Sequence, residues 1–87
     1  MQLRETETWI PVETSDGAFT SEYAISIKCF DGQEVSLFAD KAQVKTEGNQ
    51  SYLSVTKVDS DPMNHKQTVL LPTEAFETGS RWVDLSQ

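Results

Sequence analysis

The chain has 87 residues and a mass of 9.8 kDa, the size of one small domain. Fourteen Asp and Glu against seven Lys and Arg leave a net charge of −7. That balance repels phosphate backbones and anionic lipid surfaces, so direct nucleic-acid binding and membrane-surface binding are both disfavoured. No apolar run approaches the roughly 20 residues a membrane-spanning helix needs.

The acid excess is uneven: residues 1–43 hold eight acids against three bases, and residues 44–87 hold six against four. Cys29 is the only cysteine, so no disulfide can form within the chain. The stretch Met1–Glu7 has no apolar leader. Together these lead us to expect a cytoplasmic protein, since exported domains of this size usually carry several disulfides. Hydrophobic content of 37% is modest but above the range of disordered chains. Two Trp, two Tyr and four Phe are expected to anchor one compact core. We take residues 1–87 as one all-β domain, with residues 1–7 a loose N-terminal segment.

In chain order, Thr8–Val12, where Trp9 alternates against Ile10 and Val12, is predicted as a first strand, placed at a sheet edge by Pro11, which has no N–H to donate. Tyr23–Phe30 alternates again. Tyr23, Ile25, Ile27 and Cys29 share one face; Ala24, Ser26, Lys28 and Phe30 share the other. Asp31-Gly32 then predicts a hairpin with a two-residue type I′ turn, and Gln33–Ala39 is its second strand. Asp40–Ala42 interrupts the alternation before Gln43–Thr46, either as a bend in one strand or as a break between two. Glu47–Gln50 is a turn, and Ser51–Val58 a strand whose phase slips near Thr56-Lys57, where a bulge would restore one inward face.

Asp59–His65 reads as a loop, and Lys66–Leu71 as a strand ended by Pro72. Thr73–Glu77 has room for one helical turn before Gly79. Arg81–Leu85 is the last strand. The sum is six or seven short strands in a meander-type, partly closed β-barrel, because small all-β sheets close to remove their edges. One helical turn before a last strand resembles the layout of SH3-like barrels. The resemblance is one of architecture: the acidic-aromatic signature of peptide-binding SH3 domains does not occur.

No motif points to catalysis. There is no G-x-S-x-G elbow, P-loop, H-E-x-x-H or dinucleotide fingerprint. Cys29 lies in phase with Ile25 and Ile27, where a thiol acts as a small hydrophobe rather than a nucleophile paired with His65. One Cys and one His rule against a zinc site, which needs four such ligands. Asp59 and Asp61 offer oxygens at alternate positions for a calcium loop, but Pro62 and Met63 follow where that pattern needs further ligands. We therefore expect no enzyme, no cofactor and no metal, with Asp59 and Asp61 the weak metal candidates.

If Ile25, Ile27, Val35 and Leu37 face the core, Phe30 and Phe38 face out; Trp9 and Trp82 do the same against Ile10, Val12, Val83 and Leu85. Outward aromatics anchor protein interfaces. The expectation is thus a non-catalytic interaction module that binds a protein partner or itself, with Phe30, Phe38, Trp9 and Trp82 as anchors. Two alternatives stand beside it: an acidic inhibitor or nucleic-acid mimic for a basic partner, and a small metal-loop protein or enzyme.

Overall fold

The computed structural model describes residues 6–86. Seven antiparallel strands form one curled sheet: β1 (Thr6–Asp16), β2 (Glu22–Lys28), β3 (Glu34–Asp40), β4 (Val44–Glu47), β5 (Gln50–Asp61), β6 (Lys66–Leu70) and β7 (Trp82–Ser86). Single 3-10 turns lie at Lys41–Gln43 and Pro62–Asn64. The order is β3-β2-β1-β5-β6-β7, with β4 paired to β5 beside β6. This is two meanders, β1–β3 and β4–β7, joined by β1 pairing with β5 rather than one continuous meander.

β1 is the hinge of the barrel. Its first part, Thr6–Val12, pairs with Lys57–Ser51 of β5, and its last part, Glu13–Asp16, pairs with Ser26–Tyr23 of β2. Thr6 and Glu7, expected in a loose N-terminal segment, are therefore ladder residues; residues 1–5 of that segment lie outside the described residues. Pro11 stands on a central strand, not an edge strand. It occupies the part of β1 that pairs only with β5, so the missing N–H costs no rung towards β2.

The hairpin at Asp31-Gly32 forms, with a different turn. The loop is three residues, Phe30–Gly32, closed by the Cys29 N–H donating to the Gln33 carbonyl at 2.7 Å and the Gly32 N–H to the Cys29 carbonyl at 3.0 Å. Gly32 alone takes positive φ, at 88°. The Asp31 carboxylate accepts the Gln33 N–H at 3.0 Å, which satisfies the turn locally and spares Asp31 a left-handed backbone. The outcome is the three-residue loop with a glycine bulge that ranks next after the primed two-residue turns.

The break at Asp40 separates two strands, its carboxylate accepting the Ala42 N–H at 2.9 Å to start the 3-10 turn. Gly48-Asn49 closes β4 onto β5, with positive φ at Gly48 alone, the requirement of a type II′ turn. The bulge expected in β5 falls between Lys57 and Asp59.

The Asp59–His65 loop is shorter than expected. β5 runs on to Asp61, and the reversal is made by the 3-10 turn and by His65 in the left-handed region at φ 53°. The helical turn expected at 73–77 is displaced: the Gly79 N–H reaches the Ala75 carbonyl at 2.9 Å, closing one α-type turn over 75–79.

That 71–81 segment protects the β3 edge. The Phe76 N–H donates to the Ser36 carbonyl at 2.8 Å, the Ser36 N–H to Glu77 Oε1 at 2.7 Å, and the Thr73 hydroxyl to the Phe38 carbonyl at 3.1 Å. The other end of the sheet is tied in by the Phe30 N–H donating to the Asp84 carbonyl of β7 at 2.8 Å. These contacts bring the ends of the sheet together and leave the barrel partly closed.

Among the described residues fourteen are buried inside, all Ile, Val, Leu or Ala, with Leu37, Leu53, Val69 and Leu71 wholly sealed. None is aromatic. Tyr23, Cys29 and Val44 pack against this cluster from its rim. The expectation that aromatics anchor the core is therefore wrong. With period-two alternation, the β-branched and Leu positions of β1, β2, β3, β5 and β7 already fill a narrow interior, and the rings fall on the opposite phase. Among the described residues no helix is long and apolar enough to cross a membrane.

Candidate functional site

Every Trp and Phe in the chain is exposed, together with Met63. The fold sorts most of them into three places. Phe30 and Trp82 line one cleft although they are far apart in sequence. The glycine-bulged loop presents Phe30, and the Phe30–Asp84 backbone bond pins that loop against β7. Trp82 begins β7 on the face opposite the buried Val83 and Leu85. Both rings line a cleft of about 190 Å³ with Asp31, Thr78 and Asp84. The Lys66 ammonium lies 5.9 Å from the Phe30 ring centre, at the limit of a cation–π contact. Phe30 and Cys29 also wall a larger cleft of about 490 Å³, floored by Ile10, Ile27 and Leu85, where β1 and β2 have ceased to pair.

Phe38 meets Phe76, a residue the sequence reading passed over. Their rings stand edge to face, centroids 5.2 Å apart at 78°. Phe76 sits in the segment expected to be helical, so strand alternation could not reveal it. The signal was present in another form: an apolar side chain between Pro72 and Gly79, on a segment too short to bury it.

Trp9 is separate from both pairs. It lies on the outer face of β1 with the Lys45 ammonium 4.6 Å from its ring centre; the same ammonium is 5.9 Å from Tyr52 and 3.3 Å from Glu47 Oε1. Trp9 is thereby partly covered by its own chain.

Of the metal candidates, Asp61 serves the fold. Its carboxylate accepts the Asn64 side-chain amide at 2.7 Å and the Asn64 N–H at 3.4 Å. The Asn64 side chain, foremost, holds its carboxyl below the usual value. Asp59 accepts the N–H of its neighbour Ser60 at 2.9 Å. Among the described residues no three His, Cys, Asp or Glu side chains converge as metal ligands.

The electrostatics are one-sided. Among the described residues one ion pair forms, Lys45 with Glu47. Lysines settle over rings instead: Lys41 lies 4.8 Å from the Tyr23 ring centre, Lys45 over Trp9 and Lys66 over Phe30. Carboxylates bond to hydroxyls and amides instead, as Glu77 does to Ser36, Asp61 to Asn64 and Asp84 to Thr68. The field is felt at Cys29, whose thiol is pushed up by burial first, then by Asp31, Asp84 and Glu77.

No family model matches this chain, and neither a curated protein nor a solved structure matches it.

Proposed function

We propose that this domain is a non-catalytic protein-interaction module, docking a partner chain through Phe30, Phe38, Trp9 and Trp82, with Phe76 added to the set. One observation carries the reading: among the described residues the buried interior is aliphatic alone, so all six Trp and Phe rings are spared for the surface. Aromatic rings give large contact area for little loss of conformational freedom, which is why they dominate interface anchors. A partner of different sequence is favoured over a second copy, because two copies each bearing seven net negative charges repel. The lone free thiol of Cys29 suits a reducing compartment such as the cytoplasm.

The test is sedimentation and co-purification of wild type against Phe38→Ala/Phe76→Ala and Trp82→Ala. We expect lost or weakened partner retention in at least one variant, with the fold intact by amide spectra. Unchanged retention in both variants overturns the reading.

A second reading, an acidic inhibitor or nucleic-acid mimic for a basic partner, is favoured by the net charge of −7 and by the single ion pair among the described residues. It predicts binding that weakens steeply with salt yet ignores the aromatic substitutions.

A further inference from the structure

We propose that the cleft between Phe30 and Trp82 receives an arginine side chain of the partner. This rests on the interaction-module reading and names the chemistry of one contact within it.

Three features of the cleft point the same way. First, it is lined by two exposed aromatic residues, Phe30 and Trp82, together with two acids, Asp31 from the β2–β3 loop and Asp84 from β7. A guanidinium is planar and weakly hydrated; it stacks on a ring while its edge pairs with a carboxylate. Second, the two carboxylates are only half used. Asp31 Oδ1 accepts the Gln33 N–H at 3.0 Å and Asp84 Oδ1 accepts the Thr68 hydroxyl at 2.5 Å. Neither acid has a basic partner among the described residues, and the Oδ2 atom of each makes no hydrogen bond there. Their Oδ1 bonds already hold the carboxylates, so less side-chain freedom is left to lose on binding.

Third, the chain already places a cation near this site, the Lys66 ammonium 5.9 Å from the Phe30 ring centre. At about 190 Å³ the cleft is smaller than the roughly 300 Å³ at which small-molecule sites begin, and it suits one long side chain. The Cys29 thiol, pushed up by burial first, is pushed further by Asp31, Asp84 and Glu77, in keeping with a negative local field. Net charge complements the occupant: a domain at −7 draws a basic segment towards it before any contact forms.

The experiment titrates the protein with the peptide acetyl-Val-Arg-Val-Arg-amide, and with its counterpart in which citrulline replaces each arginine. Citrulline keeps the shape and loses the charge. Amide and indole resonances are followed residue by residue. The expected result is saturable movement of the Trp82 indole and of the Phe30, Asp31 and Asp84 amides with the arginine peptide. The citrulline peptide should bind roughly tenfold more weakly, the combined worth of one exposed ion pair and one cation–π contact. Asp31→Asn/Asp84→Asn should reproduce that loss with the fold retained.

Equal binding of the two peptides overturns the proposal. So does movement confined to Trp9 or to Phe38 and Phe76, or no movement at all. If partner retention depends on the aromatic residues while the two peptides bind alike, the module reading stands and this proposal falls; if retention ignores every ring, the module reading falls by itself.

Discussion

Along β1 and β5 the inner face carries Ile10, Val12, Leu53 and Val55, all buried, while the outer face of the same two strands carries Trp9 and Tyr52 with Lys45 reaching over both rings. The larger side chains are outside and the smaller ones inside. Burial here follows phase and shape rather than size. A narrow curled sheet fills its interior with Val, Ile and Leu, and a ring on the other phase has nowhere to go but out. The contrast separates stability, which lives in the aliphatic interior, from recognition, which we assign to the aromatic exterior.

The sharpest way to break that contrast is to truncate one large apolar side chain in each region. Leu53→Ala empties a wholly buried site and should cost about 2–5 kcal/mol, the range for core leucine truncations. In a domain of this size that lowers the melting midpoint by roughly 10 °C or more. Phe76→Ala removes a larger side chain that is 63% exposed and should cost less than about 1 kcal/mol. Urea or thermal melts of the two variants decide the matter. Comparable losses would mean that Phe76 belongs to the interior, and the division would fail.

Gly32→Ala sharpens the comparison from another side. Nothing lies within 4 Å of where its Cβ would stand, so sterics with neighbours contribute nothing. Its backbone is at φ 88°, which an L side chain rarely adopts, and the expected cost is about 1–2 kcal/mol. An exterior position would then be intolerant for a backbone reason alone. The variant should also shift the Phe30 amide, because Gly32 shapes the loop that presents that ring. A melting midpoint equal to wild type would show that the loop relaxes into a turn without positive φ.

The alternation of Tyr23–Cys29 and Val35–Ala39 was enough to foresee β2, β3, the inward face they share and the outward placement of Phe30 and Phe38. The phase slip at Thr56-Lys57 foretold the bulge. What stayed hidden depended on contacts distant in sequence. Pairing of β1 with β5 rests on the register from Thr6 opposite Lys57 to Val12 opposite Ser51, which no local pattern encodes. The cleft shared by Phe30 and Trp82, and the ring contact of Phe38 with Phe76, follow from closure of the sheet, by the Phe30–Asp84 backbone bond at one place and by the bonds of Phe76, Glu77 and Thr73 to β3 at the other. The turn at Asp31-Gly32 was misread because the Asp31 carboxylate supplies its own hydrogen bond to Gln33, a choice the dipeptide alone does not disclose. Total aromatic content is no guide to the interior, whereas strand phase is: Ile25, Ile27, Val35 and Leu37 are buried and Phe30 and Phe38 exposed, as their alternation requires.

The smallest expected effect concerns the strap over the β3 edge, where interior and exterior meet. Glu77 receives the Ser36 N–H on Oε1 at 2.7 Å and the Ser36 hydroxyl on Oε2 at 2.5 Å. These bonds, the hydroxyl foremost, hold its carboxyl below the ordinary value of 4.5. A depressed folded-state pKa stabilises fully above the unfolded value and is lost as pH falls through the folded one. Glu77→Gln keeps an acceptor and removes the charge. The difference in urea midpoint between wild type and variant should therefore be greatest at neutral pH and fade as pH drops below 4.5. It should also shrink with added salt, since the carboxylate faces solvent. A difference that is the same at every pH would mean that the strap is held by the Phe76–Ser36 backbone bond and the Thr73 hydroxyl alone, with the Glu77 charge idle at the edge it covers.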